Sequence, residues 1–358
     1  MAKFALRLEA RPAPSRLMSW LSPVLAVLLT VLCGALLFMA LGHDPLAGLA
    51  VFFVEPLRDA HGWSELGLKV APLLLIAVGL AICFRANIYN IGAEGQLTLG
   101  AICGGAAALY LDDGVGGAAL IGISLLAGMA GGMAWAGLVA WLRDCYNASE
   151  ILVSLMLVYI AQLLLSYLVY GVLRDPEGFN FPQSKLLSDG LLLPMVISDT
   201  RLHVGIVFAL LASLGGWLYL SRSIAGFRLR VGGMAPAAAR YAGFSSRKTL
   251  WSSLLICGAL SGLAGACEVL GPMGQLTPTV SPGYGFAAII VAFVGRLHPV
   301  GVIFSSFVMA LFYIGGELAQ SRLGLPSAIT GVFQGILLFA LLACDVLIQY
   351  KLRWRKHG

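Results

Sequence analysis

Uncharged stretches of about twenty residues recur from one end of this chain to the other, and no other feature constrains its fold as tightly. A helix rising about 1.5 Å per residue needs about 20 mostly apolar residues to cross a hydrocarbon core about 30 Å thick. Ten segments meet or approach that length: 20–42, 66–84, 95–111, 118–142, 150–171, 202–221, 249–270, 284–296, 299–318 and 326–349. The third and eighth are short or interrupted by glycine. The run 46–54 is too short to span, ends in Glu55-Pro56 and reads as an interfacial helix. The pattern predicts an all-α polytopic membrane protein of about ten transmembrane helices, some of them broken or re-entrant.

Composition agrees. Of 358 residues, 59% are hydrophobic and 11% charged, against about 45–50% and about 25% in soluble domains. The mean hydropathy of +0.90 excludes a soluble enzyme, a disordered chain and a surface DNA-binder. Seven cysteines fall in or beside apolar runs without a CxxC pair, so they read as small buried hydrophobes rather than disulfides or a zinc site.

Lys and Arg stay on the cytoplasmic side of spanning proteins. With the N-terminus inside and ten alternating crossings, 17 of 23 basic residues are internal and 11 of 17 acidic residues external. Two acids, Glu94 and Glu268, fall within membrane segments. An odd number of spans would export the basic C-terminal segment, so both termini are expected in the cytoplasm. Arg143 and Cys145 should then be internal, Asp112 and Asp113 external. The first apolar core is longer than the about 7–15 residues of a signal peptide and reads as a retained anchor.

Several chemistries are missing from the sequence. It has no GxxxxGK[ST] loop for ATP phosphates, no HExxH and no GxSxG. All five histidines lie at span ends or in loops, which argues against a membrane protease or acyltransferase. Gly100xxxGly104, Gly128xxxGly132 and Gly258xxxGly262 put small residues on single helix faces, as tightly packed spans require.

Two polar breaks stand out. In 84–96, Asn87, Tyr89, Asn90, Glu94 and Gln96 interrupt apolar sequence around Gly92 and Gly95. Broken backbone and a carboxylate at membrane depth persist where they line a cavity or are buried in protein. The segment reads either as part of a substrate pathway or as a polar turn with Glu94 opening the next helix. In 271–286, three prolines and four glycines forbid a continuous helix. With Glu268 before it and Tyr284 and Phe286 at its end, it is either a partly inserted segment or an outer loop. Interruptions in both halves of a chain point to a transporter's site. Asn147 to Glu150 reads as a capping box or a gating turn, and Ser154 follows on the same helix. The outer loop 172–201 reads as an ordered cap. The inner loop 222–248 carries six basic and no acidic residues. Within it, Gly232, Gly233 and Pro236 set up a short Ala-rich helix to Tyr241 that Gly243 ends.

Three segments carry a resemblance. NIYNIGAEGQLTLGA, VGGMAPAAARYAGF (231–244) and GYGFAAIIVAFVGRLHPVG (283–301) resemble, in order, motifs of ABC-importer permeases of the branched-chain amino acid/ribose/nucleoside superfamily. The EGQ form is similar to the nucleoside (simple sugar) branch. Met234 departs from the usual Asn, and Arg296 to His298 from a commoner G-R-x-N. The resemblance implies one permease domain over 1–358 with two inverted halves, 66–171 and 249–349. The basic N-terminus 1–19, the coupling loop 222–248 and the tail 350–358 would be cytoplasmic, and 172–201 periplasmic, in a bacterial inner membrane. It implies a substrate pathway at Tyr89, Asn90, Glu94, Gln96, Glu150, Ser154, Glu268, Tyr284 and Phe286. It places ATPase coupling at Gly232, Gly233, Pro236, Ala238, Ala239, Arg240, Tyr241 and Gly243. Partners would be a cytoplasmic ABC ATPase holding ATP and Mg, a second permease (a paralogue or a second copy), a periplasmic or lipid-anchored binding protein, and membrane lipid. Nucleic acid, metal and a cofactor in this chain are not expected. The competing reading is an ion-coupled secondary transporter using Glu94 and Glu268.

Overall fold

The computed structural model describes residues 4–11, 15–111 and 117–356; Asp112 and Asp113 lie outside the described residues. The chain sorts into two compact units, one made of 1–62 with 311–358 and the other of 63–310.

The first unit joins the two ends of the chain. Helix α1 (Arg16–Ala40) is followed by α2 (Pro45–Leu49), which continues through π and 3₁₀ turns to Leu57. The expected interfacial run is thus helical, and its Phe52 is buried. Phe52 stacks on Phe333 at 4.3 Å between centroids and also meets Phe38 and Phe312. Phe333 belongs to the last long helix, Ile329–Gln349, and its ring occupies the space a side chain at position 34 would need, which requires Gly34. The Ser22 hydroxyl donates to Asp345 at 2.6 Å. Strand β1 (Phe4–Ala10) pairs antiparallel with β2 (Tyr350–Lys356). Both termini therefore share one end of the unit. This ribbon was not anticipated in tails read only as basic segments.

The second unit holds α3 (Ala60–Arg85, from Trp63 onward), α4 (Ala93–Leu111), α5 (Gly117–Tyr146), α6 (Glu150–Tyr170) and α7 (Gly205–Arg222). There follow α8 (Ile224–Met234), α9 (Pro236–Tyr241), α10 (Ser246–Glu268), α11 (Tyr284–Val294) and α12 (Pro299–Leu323), the last from its start to Ala310; Ile329–Gln349 is α13. The three glycine motifs meet one another: a Cβ on Gly100 would strike the Gly262 backbone, and one on Gly132 the Gly258 backbone. Helices α4, α5 and α10 thereby touch backbone to backbone, where dispersion between close-fitting surfaces replaces the absent hydrophobic drive.

Eight helices among the described residues are long and apolar enough to cross a membrane: α1, α3, α5, α6, α7, α10, α12 and α13. Helix α4 has 19 residues, about 28 Å at the helical rise, but a polar first turn. The eighth expected span, 284–296, is corrected to an 11-residue helix, long enough for only about half of the bilayer core.

Candidate functional site

Helix α3 ends at a left-handed residue, Asn87, with φ 59°. The Ile88 amide returns to the Cys83 carbonyl at 3.0 Å, closing the last turn as a Schellman motif does. Asparagine tolerates this conformation better than other side chains. The chain then runs irregularly to Gly92, and its polar side chains satisfy one another. Asn90 and Gln96 exchange reciprocal amide bonds at 3.2 and 3.3 Å. The Asn90 oxygen also accepts from the Gly92 amide at 3.0 Å, and its nitrogen reaches Cys257 Sγ at 3.2 Å. Ser154 of α6 accepts from the Ile91 amide at 3.1 Å. Asn90, Gln96 and Ser154 are fully buried. They hold the break in place rather than facing open space.

Glu94 takes no part in the Asn90–Gln96 pair and turns instead toward α11. Its side chain, 2% exposed, accepts from the Gly285 amide at 2.6 Å. The Ser281 hydroxyl also interacts with it, and the Gly283 amide donates to Ser281 Oγ at 3.1 Å. Ser281 in turn accepts from the Tyr284 amide at 3.0 Å. Glu94 therefore sits in the first turn of α4 and caps the first turn of α11. Two helix N-termini converge on one carboxylate, the charge that each favours. Gly285 is required because a Cβ there would overlap the Glu94 backbone. The residue is a capping acid, as one reading held, but the helix it caps lies 191 positions away.

The second break, after the π turn Val269–Met273, is sealed by the loop 172–201. Backbone bonds join Leu193 to Leu270, Leu187 to Gly274 and Ser184 to Leu276, and the Ser184 hydroxyl accepts from the Leu276 amide at 2.9 Å. Loop residue Arg201 holds Glu65 of α3, with Nε to Oε1 at 3.0 Å. Glu268 is buried within electrostatic reach of Lys69, whose ammonium lies 5.9 Å from the centre of the buried Tyr284 ring. Lys69 was missed as a site residue. It is a lysine nine positions into α3, and only its proximity to Glu268 of α10 and Tyr284 of α11 brings it to notice. Phe286 and Tyr89 remain 38% and 39% exposed; of the expected pathway residues they are the open ones.

Glu150 forms no capping box. It pairs with Arg143 Nε at 3.2 Å, and Ser149 is the N-cap residue, without a side-chain bond. Arg143, Glu150, Gly232, Pro236, Ala239 and Arg240 line part of a cavity of about 590 Å³, within the range of small-molecule sites. The expected short helix is α9, entered through Pro236 and ended at Gly243, φ 77°. Gly233 lets α8 lie on the Arg85 and Ala86 backbone, while Ala239 is buried and Ala238, Arg240 and Tyr241 are exposed.

A family model described as the branched-chain amino acid transport system, permease component, matches residues 64–342. The chain belongs to that permease family. This permease is 32% identical, over 97% of its length and 93% of the relative's, to the glucose ABC transporter permease protein TsgB13 of Haloferax volcanii. It is 31% identical to the guanosine ABC transporter permease protein NupP of Bacillus subtilis, covering 90% of this chain and 93% of that one. It is 26% identical to the nucleoside ABC transporter permease protein NupB of Lactococcus lactis subsp. cremoris, covering 89% of each.

Proposed function

We propose that this permease is the membrane subunit of an ATP-binding-cassette importer for nucleosides, related purines or simple sugars. Energy would come from a separate cytoplasmic ATPase pair, and a second permease and an outer binding protein would complete the assembly. Two relatives named for guanosine or nucleosides and one named for glucose support a polar, hydroxyl-rich substrate. The observation that carries the reading is α9, a six-residue helix. A helix that short is marginal in water without a partner. Ala238 and Tyr241 are exposed on it, Tyr241 at 97%, and a docking ATPase would engage them. Pathway roles for Tyr89 and Phe286 belong to this proposal, with both termini and α9 in the cytoplasm.

Reconstituted uptake tests it. The permease with its ATPase should accumulate substrate only with ATP, and Ala238→Glu should abolish uptake while leaving the membrane part folded. Accumulation driven by an ion gradient without ATPase would establish the secondary transporter instead. Glu94, committed to two helix N-termini, has little capacity left for an ion. A Tyr241→Cys variant, with the native cysteines removed, should react with a membrane-impermeant maleimide only after cells are permeabilised. Labelling of intact cells would reverse the orientation.

A further inference from the structure

A second, smaller recess lies apart from the substrate region. It measures about 90 Å³ and is lined by Arg85, Trp217, Leu220, Ser221, Arg230 and His298, with Pro299 at its edge. No carboxylate lines it among the described residues. Arg85 spends its Nε on the Leu297 carbonyl at 2.7 Å, leaving its terminal nitrogens. The Nε of Arg230 is buried without a hydrogen-bond partner, an arrangement that costs stability until an acceptor arrives. The two guanidiniums are close enough to repel each other. The N-terminus of the 25-residue helix α12 starts at this recess, adding the positive end of its dipole. Burial first, and then the Arg85 charge, hold His298 below its ordinary value. Every element here asks for an anion, and the volume is well below the about 300 Å³ at which drug-sized ligands begin to fit.

What supplies the anion is indicated by α7. Val207, Leu210, Leu211, Leu214 and Leu218 are all exposed, at spacings of three and four, so they form one apolar stripe down the helix. The stripe leads to Trp217 and Ser221 at the recess. Arg222 lies 5.9 Å from the Trp217 ring, the pairing of aromatic and basic residues found at membrane–water boundaries. An acyl chain on that stripe would bring its headgroup to the arginines.

We propose that the recess of Arg85, Arg230 and His298 binds the phosphate of an acidic phospholipid headgroup. The bound phosphate would bridge α3, α8 and α12 beneath the segment that carries α9. Its cytoplasmic location rests on the orientation proposed above; the chemistry of the recess does not.

Short-chain phosphatidylglycerol and phosphatidylcholine, titrated against the purified full-length permease in detergent and read by native mass spectrometry, provide the test. Phosphatidylglycerol should be retained by the wild type and lost about tenfold in Arg230→Gln and in Arg85→Gln, the change expected for removing a charge-assisted contact to phosphate. Arg228→Gln, a neighbour on α8 that faces the Phe244 ring, should bind as the wild type does. Circular dichroism establishes that each variant is folded. Equal retention of both lipids, or unchanged retention in folded Arg230→Gln, overturns the proposal. So does inorganic phosphate competing at equal concentration, which would make this a free-anion site. Loss of ATPase association in Arg230→Gln with lipid retention intact would assign the arginine to a carboxylate of that partner and also overturn it. Binding is measured on the isolated chain, so failure of the importer reading would leave this result untouched.

Discussion

The two broken segments solve the same problem in different ways. Both expose backbone amides and carbonyls inside an apolar bundle, where each must find a partner. The break at 86–92 is satisfied by side chains: Asn90 and Gln96 bond each other and Asn90 reaches Cys257, while Ser154 holds Ile91. The break after Met273 is satisfied by borrowed backbone, from Ser184, Leu187 and Leu193 of the loop 172–201, and by a carboxylate from α4. The first is closed by groups packed inside the helix bundle. The second is only as firm as a surface loop and one buried acid. Of the two, the chain leading to α11 depends more on the loop, while α11 itself is packed through Tyr284, Ala288, Val291 and Ala292.

Glu94→Ala should break the second arrangement most severely. It leaves the Gly285 amide buried and unpaired and removes a charged acceptor, a loss of about 2–3 kcal/mol. Glu94→Gln retains an acceptor and should lose less than half as much in thermal unfolding of the purified chain. Equal losses in the two variants would mean that charge, not capping, is what α11 requires. In the first break, Asn90→Leu alone strands the Gln96 amide and should cost about 1–3 kcal/mol. The double variant Asn90→Leu with Gln96→Leu should be more stable than the sum of the single losses, with a coupling of about 1 kcal/mol. Strict additivity would show that the two amides do not depend on each other. The smallest effect is expected for Ser184→Ala, about 1 kcal/mol, because it removes one acceptor at the loop. Hydrogen exchange should speed up at Leu276 and around 184–193 while the amides of 88–96 keep their protection. Faster exchange in both breaks would mean that they open as one.

Sequence disclosed these breaks but not their closures. The Asn, Gly and Pro clusters mark where helices end, because left-handed residues and missing amides act locally; Asn87 and Gly243 needed no tertiary information. The glycine motifs were legible as packing faces, yet that Gly100 would meet Gly262, and Gly132 meet Gly258, is a fact about pairs distant in the chain. The same limit hid the Glu94 partner. A glutamate at the second position of a helix looks like a cap for its own helix, and a residue 191 positions away leaves no trace in local periodicity. The shortness of α11 was half-visible. Hydropathy extends from 284 to 296; the helix starts at Tyr284 as expected, after Gly283 at φ 94°, but stops at Val294.

The bond between Ser22 and Asp345 spans 323 residues. At a synthesis rate of about 5–20 residues per second, α1 is made on the order of half a minute before α13 exists. Through that interval the first helix must wait in the bilayer, or against the insertion machinery, before the Phe333 ring that covers Gly34 and the Asp345 carboxylate that Ser22 binds have been made. The chain's beginning is therefore among the last parts of the molecule to find its place. A nascent permease shortened before position 329 would carry an N-terminal helix with a vacant, partly polar side, the kind of surface that membrane quality control can detect.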